Sequence, residues 1–399
     1  MIPVNEKMLE LGEKSSVIRE IFEYGNRRRA EIGEENVFDF SLGNPSVPAP
    51  DCVNEAIKKA LDTESSVSVH GYTSAAGDMK TRRAVAEYLK KTYGASLEAE
   101  NIYMTCGAAA SLTSSLNAIC VPGDEVIAFA PFFPEYRVFV EKAGAALVAV
   151  PCRERDLMID IPAFERAIGA KTKAVIINSP NNPTGVVVPE ETIREIAEIL
   201  RKKSAEYGAP IYIIADEPYR ELVYDENVKV PFIPNFYDET IVCYSFSKSL
   251  SLPGERIGYV AVSEKCTEWR RLFAAICGAG RSLGFVCAPS LFQKIVPECI
   301  GKTADISVYK KNRDILVNAL TGYGFDVVRP DGAFYLFVKS PEKDATAFCE
   351  KAKKYELLLV PSDSFSFSGY VRIAYCVGTD MINRSLPAFR ALAAEYGLK

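Results

Sequence analysis

The sequence predicts an α/β protein, with a largely parallel sheet in a large domain and a smaller α+β domain after it. From about Lys80 onward, short β-rich runs alternate with segments of helical period, which is typical of strands joined by crossover helices. Several runs are almost continuous Val, Ile, Ala and Phe, as expected for strands that are covered on both faces. A chain of 399 residues with 48% hydrophobic residues can bury the cores of two such domains.

The predicted elements assign residues 46–285 to the large domain. Its strands are expected at Glu125–Ala130, Ala146–Val150, Lys173–Asn178, Ile211–Ala215, Ile241–Ser245 and Ile257–Val262, with helices such as Ala109–Cys120 and Pro189–Ala205 between them. Because parallel strands need such crossover helices, this alternation favours one layered unit.

The small domain is predicted to combine 286–399 with the N-terminal segment 1–45. An amphipathic segment precedes three strands and a final helix, and the expected bounds are Thr303–Leu320, Phe334–Val338, Leu357–Val360, Val371–Tyr375 and an end at Leu398. No low-complexity linker interrupts the chain. We therefore expect the two domains to pack together with a ligand cleft between them.

Composition and charge exclude several classes of function. The net charge is −5, whereas a nucleic-acid-binding surface needs an excess of basic residues. The single histidine, His70, excludes Cys2His2 fingers, histidine-rich zinc sites and HExxH proteases, and we expect no metal site. Acid–base chemistry near neutral pH must come mainly from another group, and His70 itself is expected to be structural.

The eleven cysteines are scattered, odd in number and never spaced as CxxC. We expect small buried thiols in a reducing compartment rather than disulfides or metal ligands. Residues 1–29 lack the apolar stretch of a signal peptide, and no run reaches the length of a membrane helix. These observations predict a cytoplasmic protein.

Two partial nucleotide-binding motifs each fail at one residue. Gly301-Lys302-Thr303 is similar to the end of a P-loop, but Val296 stands where that motif needs glycine. Gly278-Ala279-Gly280 is followed by Leu283, where a dinucleotide fingerprint has its third glycine. ATP and NAD are therefore not supported as ligands.

Four polar segments end or follow predicted strands, at the edge where open α/β sheets bind ligands. Taken singly, they could be a turn, a helix cap, a solvated lysine and a surface arginine. Their succession at strand ends indicates a functional site instead. The segments are Asn181-Asn182-Pro183-Thr184-Gly185, Asp216-Glu217-Pro218-Tyr219, Ser245-Phe246-Ser247-Lys248 and Arg256-Ile257-Gly258-Tyr259.

With these motifs the sequence resembles the class I family of pyridoxal-phosphate enzymes, whose best-known members are aspartate and related aminotransferases. The resemblance covers essentially the whole chain, from Ser41–Pro45 to Val371–Ile373. It implies fold type I, in which helices cover a mostly parallel seven-stranded sheet and a smaller α+β domain follows. It also implies pyridoxal 5'-phosphate (PLP) as cofactor and ping-pong transfer of an amino group from an L-amino acid, for example aspartate, to a 2-oxo acid such as 2-oxoglutarate.

The resemblance implies roles around the cofactor ring. Lys248 would bind the cofactor aldehyde through its amine and then move the substrate Cα proton, which accounts for the scarcity of histidine. Asp216 would pair with the pyridine nitrogen. Asn182 and Tyr219 would hydrogen-bond the phenolic oxygen. Phe133 would stack on the ring, although it could also be an ordinary core residue beside a strand.

The cofactor phosphate is implied to bind where Gly107-Ala108-Ala109 opens a helix, because small residues expose backbone N–H groups to an anion there. Ser245, Ser247 and Arg256 would complete the phosphate site. Tyr72 matches a tyrosine that reaches the phosphate from the neighbouring subunit in the family. The resemblance thus implies a homodimer with shared active sites.

Substrate recognition is implied to begin at Arg372, which matches the family arginine that binds the α-carboxylate, with Asn182 and the backbone at Gly43 beside it. Dicarboxylate specificity stays open. Ala109 stands where one branch of aspartate aminotransferases has a lysine. Arg281 could serve as the arginine that another branch takes from the partner subunit.

Two other functions remain open from the sequence. A carbon–sulfur β-lyase of the same fold would share Lys248, Asp216 and Arg372 and differ only in how the reaction ends. A non-enzymatic regulator that senses the cofactor would need an N-terminal DNA-binding module, but only about forty residues precede Gly43 and the net charge is acidic.

Overall fold

The computed structural model describes residues 3–13 and 17–398, which form two compact units. The larger unit contains Pro45–Ser307 and Pro330–Ala333. The smaller unit is formed by Met1–Asn44, Val308–Arg329 and Phe334–Lys399, of which residues 1, 2, 14–16 and 399 lie outside the described part. The expectation that residues 1–29 hold no signal peptide therefore falls partly outside it.

The helices and strands are numbered in chain order. The α-helices are α1 (Glu6–Glu13), α2 (Val17–Ile32), α3 (Asp51–Thr63), α4 (Ser66–His70), α5 (Met79–Tyr93), α6 (Ala108–Ile119), α7 (Glu135–Lys142), α8 (Ile161–Ala167), α9 (Glu190–Tyr207), α10 (Phe246–Ser249), α11 (Trp269–Ser282), α12 (Ser290–Cys299), α13 (Ser307–Gly322), α14 (Ala345–Ala352) and α15 (Thr379–Glu395). The strands are β1 (Phe38–Asp39), β2 (Ile102–Thr105), β3 (Glu125–Ala130), β4 (Ala146–Pro151), β5 (Thr172–Asn178), β6 (Tyr212–Asp216), β7 (Thr240–Ser245), β8 (Gly258–Val262), β9 (Val327–Val328), β10 (Tyr335–Lys339), β11 (Leu357–Leu358), β12 (Val360–Pro361) and β13 (Tyr370–Ala374).

The larger unit is built on a seven-stranded sheet with the strand order β2-β8-β7-β6-β5-β3-β4. Neighbours pair in parallel from β4 to β7, whereas β8 is antiparallel to both β7 and β2. The predicted α/β class and mostly parallel seven-stranded sheet are confirmed. The six predicted strands agree with the observed ones within one residue, but β2 was not predicted because its four residues are too short a run to stand out.

Two long helices of the larger unit begin and end at residues with clear capping chemistry. The Asp78 side chain accepts a hydrogen bond from the Thr81 amide at the start of α5, and Gly94 ends that helix in the left-handed conformation with φ 67°. Helix α9 begins after Pro189 and ends at Gly208, where φ is 69°. These residues set where each helix begins and ends.

The strand register brings the ends of several strands to one edge of the sheet. Because β5 and β6 are parallel, their last residues, Asn178 and Asp216, lie side by side. Strand β8 runs in the opposite direction, so its first residue, Gly258, lies opposite the last residue of β7, Ser245. The carboxyl edge thus collects polar residues that follow separate apolar runs.

The smaller unit contains an antiparallel sheet with the order β12-β13-β10-β9 and a separate parallel pair, β1 with β11. Its core includes Phe40 of the N-terminal segment, whose ring centroid lies 5.6 Å from that of Phe389 in α15. The Ala374 amide of β13 donates to the Phe40 carbonyl. The N-terminal segment is therefore an integral part of the smaller unit.

The division of the chain differs from the predicted boundary after residue 285. Residues 286–307 belong to the larger unit, since α12 packs against α3 and α5. The Thr81 hydroxyl of α5 donates to the Gln293 carbonyl at 2.7 Å, and the Asp78 amide donates to the Gln293 side chain at 2.7 Å. These contacts join residues more than 200 positions apart, which the change of sequence character near Cys287 did not indicate.

The cysteines of the chain are all free thiols, and seven of the eleven are buried. Burial raises the pKa of both Cys120 and Cys152 to about 12, which keeps these thiols protonated and unreactive at neutral pH. Within residues 3–13 and 17–398, no helix combines the length and the apolar character needed to cross a membrane.

Candidate active site

The carboxyl edge of the seven-stranded sheet holds most of the residues that the sequence indicated. Asp216 ends β6, Ser245 ends β7, and Lys248 follows in the short helix α10. Gly107 precedes α6 and lies close to Gly258 of β8. A Cβ built on Gly258 would lie 3.0 Å from the Cα of Gly107. Residues from four separate strand ends thus meet in one unit of the protein.

Asp216 is a buried carboxylate with two side-chain partners and one open oxygen. Its exposed fraction is 4%. The Tyr136 hydroxyl donates to Oδ2, and the Asn178 amide donates to Oδ2 at 3.2 Å and to the Asp216 carbonyl at 2.9 Å. Among the described residues Oδ1 has no hydrogen-bond partner. A buried carboxylate oxygen without a partner is costly unless a ligand supplies a donor.

Burial raises the pKa of Asp216 to about 7, because the carboxylate loses its water. The hydrogen bond from Tyr136 acts in the opposite direction, since it stabilises the charged form, and the neighbouring Glu217 raises the pKa further. In the absence of a cationic ligand, this group is therefore only partly ionised at neutral pH.

Asn178 and Tyr136 are residues of the candidate site that the sequence analysis missed. Asn178 bridges two predicted site residues: it contacts Asp216, and its Oδ1 accepts a hydrogen bond from the Asn182 amide at 2.7 Å. Tyr219 and Asn182 are both buried as well. A signal was present for each missed residue, since Asn178 is the last residue of a predicted strand and Tyr136 lies one helical turn after Phe133.

Lys248 lies in the third position of α10 and is half-buried. The Ser245 side chain caps this helix by accepting from the Ser247 amide at 3.1 Å. The next residue, Ser249, hydrogen-bonds the Tyr244 hydroxyl at 2.9 Å. Contacts on both sides of Lys248 therefore fix the backbone that carries its amine.

Several groups that could bind an anion surround the start of α6; they are called the anion-binding group below. A Cβ on Gly107 would lie 3.0 Å from Nη2 of Arg256 and would push the guanidinium away, and φ of 87° at this position also favours glycine. Arg256 Nη1 lies 3.5 Å from the Ser247 hydroxyl, which in turn hydrogen-bonds the Ser245 hydroxyl at 2.6 Å. A helix start with small residues, two hydroxyls and an arginine suits a phosphate.

A buried ion cluster lies directly beside Asp216 in the chain. Arg220 forms an ion pair with Glu217, and its Nη1 donates to the Tyr259 hydroxyl at 3.1 Å. Its guanidinium carbon lies 4.9 Å from the ring centre of Tyr244. The Tyr244 hydroxyl donates to Glu221 at 2.9 Å. These contacts connect the segment after β6 to β7 and β8.

The remaining predicted residues of the larger unit range from half-buried to almost fully exposed. Phe133 is half-buried, and its ring meets that of Tyr136 edge-on at 5.7 Å. Tyr72 is 91% exposed in the loop after α4. Arg281 lies in the last turn of α11 and is exposed. Ala108 and Ala109 are the first two residues of α6.

Arg372 and Gly43 belong to the smaller unit. The Arg372 guanidinium carbon lies 4.7 Å from the ring centre of Tyr335 and 5.0 Å from that of Phe365, and Nη2 donates to the Ser41 carbonyl at 2.5 Å. A Cβ on Gly43 would lie 1.9 Å from the Tyr335 hydroxyl. The segment around Gly43 thus packs closely on the ring that stacks against Arg372.

These residues fit the cofactor that the sequence implied. The open Oδ1 of Asp216 can accept a hydrogen bond from a protonated ring nitrogen, which gives the buried carboxylate a cationic partner. The group of Gly107, Ser245, Ser247 and Arg256 offers the donors that a phosphate needs. Among the described residues, no cluster of three or more His, Cys, Asp or Glu side chains could hold a metal ion.

Replacing Asp216 by asparagine should stabilise the cofactor-free protein at alkaline pH. Because the folded-state pKa is raised from 3.8 to about 7, the burial penalty appears as pH rises through this window and is complete above it. Asp216→Asn should therefore exceed the wild type by ~2–4 kcal/mol at pH 8, and the gain should shrink toward pH 4.5. Urea unfolding at both pH values measures this difference.

The control is Asp62→Asn, which alters an exposed carboxyl of α3. It should not reproduce the pH dependence. A gain for Asp216→Asn that is equal at both pH values would show that ionisation of this carboxyl does not burden the fold.

Comparison with known proteins identifies relatives over nearly the full length. The sequence profile of the family described as Aminotransferase class I and II matches residues 35–387. The chain is 32% identical to an aspartate aminotransferase of Pyrococcus horikoshii, over 92% of each chain. It is also 32% identical to a probable N-acetyl-LL-diaminopimelate aminotransferase of Bacillus subtilis, over 88% of each.

Solved structures agree with these sequence relatives. A crystal structure of an amino transferase from Eubacterium rectale has a TM-score of 0.97 and 55% identity, covering 99% of this chain and all of its own. Aspartate aminotransferase from Thermus thermophilus with maleate has a TM-score of 0.86 and 25% identity, over 98% of this chain and all of its own. With the family profile and these relatives in agreement, the chain belongs to the class I and II aminotransferases and is a PLP-dependent transaminase that acts on amino acids and oxo acids.

Proposed function

We propose that the carboxyl edge of the large sheet is the catalytic site, and that it transfers the amino group of an L-amino acid to 2-oxoglutarate by a ping-pong mechanism. The buried, open Oδ1 of Asp216 carries this proposal, because the same unit holds a lysine and an anion-binding group at the same edge. Bound PLP supplies an electron-withdrawing ring that stabilises negative charge at the substrate Cα.

In this proposal, Asp216 keeps the ring nitrogen of the cofactor protonated. Its Oδ1 would accept a hydrogen bond from the N–H group of the ring, while Tyr136 and Asn178 donate to Oδ2 and orient the carboxylate. Pairing with a cation favours the charged carboxylate, which offsets the effect of burial on its pKa. Asn182 and Tyr219 donate to the phenolic oxygen, and Phe133 covers one face of the ring.

Lys248 is proposed to bind the cofactor aldehyde through Nζ and to act as the base at the substrate Cα. A primary amine forms such a bond reversibly, and after release it can accept the Cα proton and return it. Gly107, Ala108, Ala109, Ser245, Ser247 and Arg256 are proposed to bind the phosphate. The cap of α10 by Ser245 supports this assignment, because it links the phosphate group to the helix that bears Lys248.

The substrate α-carboxylate is proposed to bind Arg372, assisted by Asn182 and the backbone at Gly43. The rings of Tyr335 and Phe365, whose centres lie 4.7 and 5.0 Å from the guanidinium carbon, support this assignment because they limit the movement of a group that can bind a carboxylate through two N–H donors.

Replacing Lys248 tests the catalytic assignment directly. Lys248→Ala should lose the visible absorbance of bound PLP and reduce turnover by at least about 10³-fold, since both the covalent anchor and the base are removed. Lys302→Ala, at an exposed lysine, is the control and should keep both. Retention of turnover by Lys248→Ala would exclude this lysine as the catalytic base.

We further propose that Arg281 binds the distal carboxylate of a dicarboxylic amino donor such as aspartate. Its exposed position in α11 and the aspartate aminotransferases among the relatives support this proposal. In single-turnover reactions with each L-amino acid, aspartate and glutamate should react fastest. Arg281→Gln should slow aspartate by about tenfold and leave alanine unchanged, because only aspartate loses a charge partner.

The control for this substitution is Arg271→Gln, which removes another exposed arginine from the same helix. Equal rates for aspartate and alanine with the wild type, or an equal loss for both with Arg281→Gln, would exclude a distal-carboxylate role.

We propose a homodimer in which Tyr72 of one subunit binds the phosphate of the other. The 91% exposure of Tyr72 and the 83% exposure of nearby Val67 support it, since such apolar surface is usually covered. Lys248→Ala and Tyr72→Ala subunits, each weak alone, should regain about a quarter of wild-type activity when coexpressed, because a mixed dimer has one intact site. If the coexpressed protein is no more active than the two variant homodimers combined after separate purification, shared sites would be excluded.

The cellular location is proposed to be the cytoplasm. The eleven free thiols, most of them buried, support a reducing compartment.

A further inference from the structure

The smaller unit contains a hydrogen-bonded chain that ends at Arg372. Asp39 is 8% exposed and is the last residue of β1. Its carboxylate accepts three hydrogen bonds: from the Ser41 amide at 2.9 Å and the Ser41 hydroxyl at 2.6 Å on Oδ1, and from Arg29 at 2.7 Å on Oδ2. A buried carboxylate with three donors is held in one orientation.

The contact between Asp39 and the Ser41 amide shapes the backbone between them. A carboxylate that accepts from the amide two residues later forms an Asx turn, which bends the chain locally. The segment before the turn is fixed independently, because Phe38 and Asp39 pair with Leu357 and Leu358 of β11. The direction of the Ser41 carbonyl is therefore set by a strand on one side and by Asp39 on the other.

The Ser41 carbonyl in turn contacts Arg372. It accepts from Nη2 at 2.5 Å, while Tyr335 and Phe365 face the guanidinium. The two rings contact the guanidinium without a directional bond to any one of its nitrogens. The hydrogen bond to Ser41 is directional and constrains the position of Nη2.

We infer that Asp39 is a positioning residue for substrate binding: through the Ser41 carbonyl it sets the direction in which the Arg372 guanidinium presents its donors to a carboxylate. This inference rests on the proposed role of Arg372. Arg29 supports the same chain from α2, since it neutralises Asp39 and holds the carboxylate oxygen that Ser41 does not use.

Asp39→Asn is the informative substitution, because its amide cannot satisfy both partners. With its oxygen toward Ser41, the NH2 group faces the Arg29 guanidinium; with the amide reversed, it faces the Ser41 amide. The neighbouring arginine on α2 offers a matched control. Arg28 pairs with Glu356 at 2.5 Å, and Arg28→Met removes an ion pair of the same helix that includes neither Asp39 nor Ser41.

The test is calorimetric binding of two non-reacting carboxylates, succinate and 3-phenylpropionate, to the PLP-loaded protein, together with KM and kcat. Asp39→Asn should weaken binding of the tighter probe by about tenfold and raise KM equally, with kcat within about twofold and PLP affinity unchanged, because only orientation of a binding group is lost. Arg28→Met should bind like the wild type.

Arg372→Gln separates failure of the inference from failure of the proposed function. If it loses carboxylate affinity while Asp39→Asn keeps it, Asp39 does not position Arg372. If Arg372→Gln binds both probes like the wild type, the carboxylate role of Arg372 and the inference fail together. A loss of PLP affinity or of folded protein in Asp39→Asn and Asp39→Ala would assign Asp39 a structural role only.

Discussion

The burial of two successive carboxylates at the end of β6 is the constraint on which the site depends. Asp216 and Glu217 follow a strand whose other residues are almost entirely apolar, so both enter the protein interior. An uncompensated buried carboxylate costs several kcal/mol, on the order of a typical protein's whole stability. Each keeps one carboxylate oxygen without a hydrogen-bond partner among the described residues, but Glu217 forms an ion pair with Arg220, whereas Asp216 is held by the neutral side chains of Tyr136 and Asn178.

Two neighbouring carboxylates therefore differ in role: Glu217 belongs to an ion pair that stabilises the fold, whereas Asp216 is proposed to take part in the chemistry. The Glu217–Arg220 pair, surrounded by the rings of Tyr93, Phe232 and Tyr244, neutralises its own charge without a ligand. Its hydrogen bonds reach Tyr259 on β8, and Tyr244 continues to Ser249 beside Lys248. The cluster therefore connects the strand ends around Asp216, whose charge the cofactor is proposed to balance. Preorganised charge of this kind is what an active site needs, because it requires no rearrangement during the reaction.

Much of this arrangement could be predicted from the sequence, since it follows from apolar runs that end in polar residues. The runs ending at Asp216 and Ser245 identified strands within one residue, and their polar ends lie at one edge because parallel strands share their direction. Tyr136 and Asn178 were missed because they belong to the candidate site only through their hydrogen bonds to Asp216. Asn178 meets Asp216 across two strands, and no pattern within either strand indicates that pairing. The assignment of α12 to the larger unit depends equally on contacts between distant segments.

Three arginines of the chain show why residue type alone does not assign a role. Arg220 is buried and forms an ion pair with Glu217, so its charge is neutralised within the fold. Arg256 is exposed and lies against Gly107 at the start of a helix, a position suited to binding a doubly charged anion. Arg372 is 2% exposed, and its guanidinium contacts two aromatic rings and a backbone carbonyl. In its proposed role, a guanidinium held in this way would bind a carboxylate at little cost in side-chain entropy. The surroundings of each guanidinium, rather than its sequence motif, therefore decide whether it stabilises the fold or serves a ligand.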